Sequence, residues 1–260
     1  MMAGLLADIL AEKRRWLGEL RVPRSSELPS LRPVRLRRPA GAPLRLITEI
    51  KRRSPSAGAL STKLGVAERA AAYERAGACM VSVLCDTPYF DGGYDHLSLA
   101  RAACSLPLLC KDFIIDERQL ELARAHGADA ALLIVRCLSR ERLIDLMRTA
   151  RSLELVPFVE VATLDEAHLA VDAGAELIGV NARDLDTLAM DSTRAHQVLE
   201  ALPASVTRVH LSGVKSPNDV ERVTQGGADA ALIGEVLMRH DDPEPLLRTL
   251  VSAAGNSHAG

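Results

Sequence analysis

The chain has 260 residues, 48% hydrophobic and 25% charged, an ordinary globular composition long enough for a large core. A net charge of -2 and an aromatic content of 3% remove any global case for nucleic acid or an anionic membrane as partner. The five cysteines, Cys79, Cys85, Cys104, Cys110 and Cys137, lack CxxC spacing and lie in or beside apolar segments. They are expected to be reduced core residues of a cytoplasmic protein, not zinc ligands or disulfides.

Asp8, Glu12 and Lys13 interrupt the apolar residues too early for a signal peptide, and no run approaches transmembrane length. Leu5 to Leu20 has helical period. Leu6, Ile9, Leu10 and Leu17 fall near one face, and Lys13, Arg14 and Arg15 are assigned off it. Val22 to Pro43, rich in Pro, Ser and Arg, reads as an irregular connector. Leu44 to Ile50 reads as a strand, with branched residues that suit a pleated surface. It leads into Glu49-x-Lys51, two residues that project from one face.

From there a pattern recurs. Gly77, Gly127, Gly174 and Gly227 each close a helical segment and precede a short apolar run, at spacings of 50, 47 and 53 residues. Glycine after a helix takes the left-handed cap, and an apolar run suits a strand buried on both faces. The runs are Met80–Leu84, Ala130–Val135, Leu177–Val180 and Ala230–Gly234. Between them lie Leu106–Cys110, Leu155–Val161 and Thr207–Leu211, so the count with the first strand is eight. Helices are expected at Glu117–Ala125 behind Asp116, Arg140–Arg151 behind Ser139 and Asp219–Gln225 behind Ser216-Pro217.

Eight strands alternating with helices predict an α/β chain with a single (β/α)8 barrel. Residues 1–43 would be an N-terminal extension helix and connector, and 44–260 the barrel. An open doubly wound sheet is the alternative; no Gly-x-Gly-x-x-Gly follows the first strand to support it. In a barrel, function gathers where strands end at the carboxyl face. Those ends carry Glu49 and Lys51, Asp86, Lys111, Arg136, Glu160, Asn181 and Arg183. The chain has only five lysines, and two of them, Lys51 and Lys111, stand at such ends. A lysine there can give up a proton and an arginine cannot. Ser212-Gly213 and Gly234-Glu235 close the last two strands, where backbone N–H groups of barrels commonly cradle phosphate.

With these residues in view, the chain resembles the indole-3-glycerol-phosphate synthase family over nearly its full length. The stretches that carry the likeness are Glu49 to Ser56, Ser82-Val83-Leu84 with Tyr89-Phe90, Cys110 to Asp116, Val159-Glu160-Val161, Asn181 to Leu185, and Leu232 to Glu235 with Leu237-Met238-Arg239. The resemblance implies ring closure, decarboxylation and dehydration of 1-(2-carboxyphenylamino)-1-deoxyribulose 5-phosphate, without cofactor or metal. It implies an N-terminal helix that helps cover the barrel mouth. It implies Lys111, Lys51, Glu49, Glu160 and Asn181 as catalytic residues. Ser54, Phe90, Phe113, Arg183 and Leu232 would bind substrate, and Ser212, Gly213, Gly234 and Glu235 the phosphate. Other tryptophan-pathway enzymes are candidate partners.

Two positions depart from the family pattern. The seventh strand ends Leu211-Ser212-Gly213 where the family usually has Glu-Ser-Gly, and Ala182 replaces a frequent second asparagine. Strand alternation, if regular to the end, sets Leu211 opposite to Ser212. A sister barrel, phosphoribosylanthranilate isomerase, typically uses a cysteine base at the first strand; Glu49-x-Lys51 argues against it. A paralogue in a specialised indole pathway and a phosphate-binding barrel without turnover stay open at this point.

Overall fold

The computed structural model describes residues 4–22 and 28–256. Those portions of the 1–43 and 44–260 divisions at residues 1–3, 23–27 and 257–260 lie outside the described residues, as does part of the Val22–Pro43 connector. Eight strands form one closed parallel barrel: β1 (Arg45–Ile50), β2 (Met80–Leu84), β3 (Leu108–Lys111), β4 (Ala130–Ile134), β5 (Val156–Val161), β6 (Leu177–Asn181), β7 (Thr207–Leu211) and β8 (Ala230–Ile233). Each pairs with its neighbour in sequence, and β8 closes on β1.

Around them lie α2 (Val66–Arg75), α4 (Tyr94–Ala103), α5 (Glu117–Ala125), α6 (Arg140–Ser152), α7 (Leu164–Asp172), α8 (Ser192–Ala201), α9 (Pro217–Gln225) and α11 (Glu244–Asn256). The expected caps Asp116, Ser139 and Ser216 each accept an N–H of the first turn. Gly77, Gly127, Gly174 and Gly227 all have positive φ, which lets each helix turn straight back into its strand. Most expected bounds move by a residue or two, and two of the shifts have a plain local cause. β3 starts after Pro107, which has no N–H to add to a ladder, and Val135–Cys137 coils into a short 3-10 turn. Among the described residues, no helix is long and apolar enough to cross a membrane.

Alternation along each strand builds two apolar layers. Inward residues such as Ile47, Met80, Leu109, Leu132, Phe158 and Leu232 fill the barrel. Outward ones such as Val81, Cys110, Leu133 and Ile178 pack against the helices. Gly179 stands on β6 because nothing larger fits inside. A Cβ there would lie 2.5 Å from Phe158 Cε1 and 2.7 Å from Leu211 Cδ1. Gly179→Ala is therefore expected to destabilise the fold by about 1–3 kcal/mol through overpacking, read as a lower urea midpoint. Leu211→Ala in the same chain should recover part of that loss.

One sequence assignment is corrected here. The N-terminal helix α1 (Leu5–Glu19) buries Leu6, Ile9, Lys13 and Leu17 together, so Lys13 belongs to the buried face. Its spacing from Ile9 and Leu17 is one helical turn each way; polarity alone had put it outside. Its charge is tolerated because it is paired, 2.7 Å from Asp112 and 3.0 Å from Asp86.

Candidate active site

The inward alternation that fills the barrel continues one step further up, and there the side chains turn polar. Glu49 on β1, Lys111 on β3, Glu160 on β5 and Asn181 on β6 face the same cleft. Lys51, just past β1, hydrogen-bonds Glu49 Oε1 at 2.6 Å. Glu49 is buried, and its Oε2 has no partner among the described residues. Glu160 accepts from two groups, Lys111 Nζ at 3.2 Å and Asn181 Nδ2 at 2.9 Å. Asn181 Oδ1 in turn accepts from the Arg183 N–H at 3.0 Å, which fixes the amide's orientation.

This arrangement sets the charge on Lys111. Burial by itself pulls the ammonium pKa down. The Glu160 and Glu49 carboxylates together outweigh it and hold the group above the usual lysine value. Lys111 therefore stays protonated at neutral pH, with Glu160 as its main counter-charge.

The cleft has an aromatic side and a phosphate-like side. A short helix, α3 (Thr87–Phe90), presents Phe90, whose ring lies 6.2 Å from Phe113. Ser54 and Leu232 line the same space. On the other side, β7 gives way to Ser212 and Gly213 with φ of 69° and 90°. The two consecutive left-handed residues turn the chain so that its N–H groups are not spent on the fold. Those of Ser212, Gly213 and Gly234 have no partner among the described residues. Gly234 leads into a further short helix, α10 (Glu235–Met238). The Glu235 carboxylate would repel an anion, but Arg239 binds it at 2.9 Å and Arg183 approaches within 3.6 Å. The Arg239 bond is the main reason its pKa lies below the ordinary glutamate value. What remains for an anion is a backbone cradle with Lys215 nearby.

All the candidate residues named from the sequence border this one cleft. Two other strand-end residues do not. Asp86 turns to Lys13, and Arg136 is held by Glu166 and Asp184. The positive φ at Ser212 also overturns the expectation of regular alternation: Leu211 and Ser212 both line the cleft. Sequence reasoning missed the apolar floor of Leu132 and Ile134, and it did not single out Leu5 and Ile9 as the residues of α1 that reach the cleft. For the floor a signal existed, since inward positions of β4 alternate; for α1, nothing in its period says what it covers.

A closed parallel barrel with lysines and carboxylates at its mouth and a backbone cradle suited to an anion defines a (β/α)8-barrel protein whose site lies at the carboxyl ends of the strands. The profile of the family described as indole-3-glycerol phosphate synthase matches residues 6–250, and the chain belongs to that family. Indole-3-glycerol phosphate synthase of Kineococcus radiotolerans is 40% identical over 260 residues, covering 98% of this chain and 95% of the relative. That of Mycobacterium tuberculosis is 41% identical, covering 97% and 93%. Among solved structures, 3-hexulose-6-phosphate synthase from Salmonella typhimurium superposes with a TM-score of 0.65 at 13% identity, covering 81% of this chain and 98% of that one. Thiamine phosphate pyrophosphorylase from Pyrococcus furiosus gives 0.64 at 16%, covering 82% and 96%. At such identities these two speak for the fold alone. The chain is thus a decarboxylating lyase of tryptophan biosynthesis.

Proposed function

We propose that Lys111 is the acid that closes the indole ring. The carboxylate-bearing ring carbon of 1-(2-carboxyphenylamino)-1-deoxyribulose 5-phosphate attacks the sugar carbonyl, and that oxygen takes a proton from Lys111. Carbon dioxide leaves, and its bonding electrons restore the aromatic ring. Loss of the new hydroxyl as water, with loss of one proton from the adjacent carbon, completes indole-3-glycerol phosphate. For this second stage Lys51 is the acid and Glu49 the base, because Glu49 Oε2 is the carboxylate oxygen left free to accept a proton. Glu160 and Asn181 hold Lys111 and the substrate in place. Phe90, Phe113, Ser54 and Leu232 receive the ring, and Arg183 orients the substrate. Ser212, Gly213, Gly234 and Glu235 hold the phosphate through backbone N–H groups.

The observation that carries the reading is a half-buried ammonium 3.2 Å from Glu160, kept charged by Glu160 and Glu49 in a cleft with an aromatic side. The proposal extends to residues 1–43 as cover for the mouth of a barrel at 44–260, supported by Leu5 and Ile9 at the cleft. It extends also to the cytoplasm, which suits five free cysteines, and to other enzymes of the pathway as partners.

The pH profile tests the acid. A group with a raised pKa stays protonated to higher pH, so kcat should hold through neutrality and fall only as pH rises through the elevated Lys111 pKa. Leu211→Glu adds a carboxylate among inward mouth residues and should move that alkaline limb upward. It should also lower stability, because Leu211 is 2% exposed and an unpaired carboxylate there is costly to bury. An alkaline limb that stays put in a folded Leu211→Glu variant would show that Lys111 does not govern it.

A further inference from the structure

Lys13 lies outside the cleft, yet its ammonium joins the residues that carry two of the cleft's walls. Asp86 Oδ2 is 3.0 Å from Lys13 Nζ, and Asp86 Oδ1 accepts the Tyr89 N–H at 2.9 Å, capping the helix that presents Phe90. Asp112 Oδ1 is 2.7 Å from the same ammonium and accepts the Phe113 N–H at 2.9 Å. Its other oxygen takes Tyr94 Oη at 2.7 Å and Gln119 Nε2 at 3.2 Å. Asp112 stands between Lys111 and Phe113 in sequence, so its anchorage is also theirs.

The group is closed to water. The side chains of Lys13, Asp86 and Asp112 are 6%, 2% and 0% exposed. Without the ammonium, two buried carboxylates would face each other unpaired. Burial lowers the Lys13 pKa, but Asp112 and Asp86 more than offset it, so the ammonium stays charged. The same residue sits one turn beyond Ile9, which covers the cleft, and its Nζ lies 5.2 Å from the Trp16 ring centroid. Trp16 stacks on Tyr94 at 6.0 Å. Both ends of α1 are tied as well: Asp186 accepts the Leu6 N–H at 3.2 Å, and Arg118 donates to Leu17 O at 3.0 Å.

We propose that Lys13 is a positioning residue for the reaction: by bridging Asp86 and Asp112 it sets Phe90, Phe113 and Lys111 in register and seats α1 over them. The inference rests on the roles given above to Lys111 and the two phenylalanines. A bridge differs from a mere counter-charge, and two variants separate them. Lys13→Met removes the bridge and leaves both carboxylates. Lys13→Met with Asp86→Asn removes the bridge but returns the group to one net negative charge, and asparagine can still cap the Phe90 helix.

Lys13→Met should lower kcat by about 10–10²-fold, the scale of a small misplacement of reacting groups, and raise KM. Trp16, the only tryptophan in the chain, should shift its emission to the red as the helix loosens. In the double variant the thermal midpoint should recover while kcat stays low. The proposal is overturned if Lys13→Met keeps kcat and KM within about twofold of wild type. It is overturned equally if the double variant regains kcat along with stability, for then charge balance is all that Lys13 supplies. Trp16 emission does not depend on which lysine is the acid. Normal turnover by Lys111→Ala would therefore count against the acid's assignment and leave the emission test of Lys13 standing by itself.

Discussion

Lys111→Ala is expected to lower kcat by about 10²–10⁴-fold, the usual worth of a positioned general acid. KM should change much less, because the proposed phosphate cradle and aromatic wall would hold the substrate through other residues. The size of the effect follows from the neighbourhood. Glu160 and Glu49 keep Lys111 charged, so at neutral pH nearly every molecule carries the proton to be given. The alanine variant keeps the Asn181 bond to Glu160, so that carboxylate is not wholly orphaned and the barrel should fold. Lys111→Arg should restore the charge but little of the rate, since a guanidinium does not give up its proton. Steady-state kinetics on the carboxyphenylamino sugar phosphate, followed by indole fluorescence, check both. A kcat near wild type in the alanine variant would remove Lys111 from ring closure.

Gly234→Val should cost about 10²-fold or more in kcat/KM, because two things fail together. A Cβ at Gly234 would lie 2.6 Å from Glu49 Oε1 and 3.0 Å from Glu49 Cβ, so Glu49, the proposed base, must move. The same methyl groups block the approach of phosphate to the backbone N–H groups. The backbone itself is no obstacle, since φ at Gly234 is -126°. The loss should therefore appear for phosphorylated ligands and leave a cooperative unfolding transition. Calorimetric titration with a phosphorylated product analogue and its dephosphorylated counterpart separates the terms. Equal weakening of both ligands would mean that Glu49 alone was disturbed and that the cradle lies elsewhere.

Much of the barrel was legible because parallel strands buried on both faces are written as short apolar runs, and helix ends as glycines with the left-handed turn that other residues avoid. The inward positions of Glu49, Lys111, Glu160 and Asn181 follow from the period of two, given the strand ends. Where the chain leaves that period, the sequence stops being a guide. Ser212 has a β-carbon and still adopts φ of 69°, so Leu211 and Ser212 face one cleft. No local preference announces a left-handed serine; the surrounding structure imposes it.

Lys13 marks the same boundary. Its spacing from Ile9 and Leu17 puts it on the buried face, but a lysine there is acceptable only if an opposite charge waits for it. Asp86 and Asp112 lie 73 and 99 residues away in the chain. Periodicity and turn chemistry act over a few residues, so composition and pattern alone determined eight strands, their order and which ends carry charge. Which charges meet, and which helix closes over them, was decided by the closure of the barrel, because pairing energies depend on distance in space and not on distance in sequence.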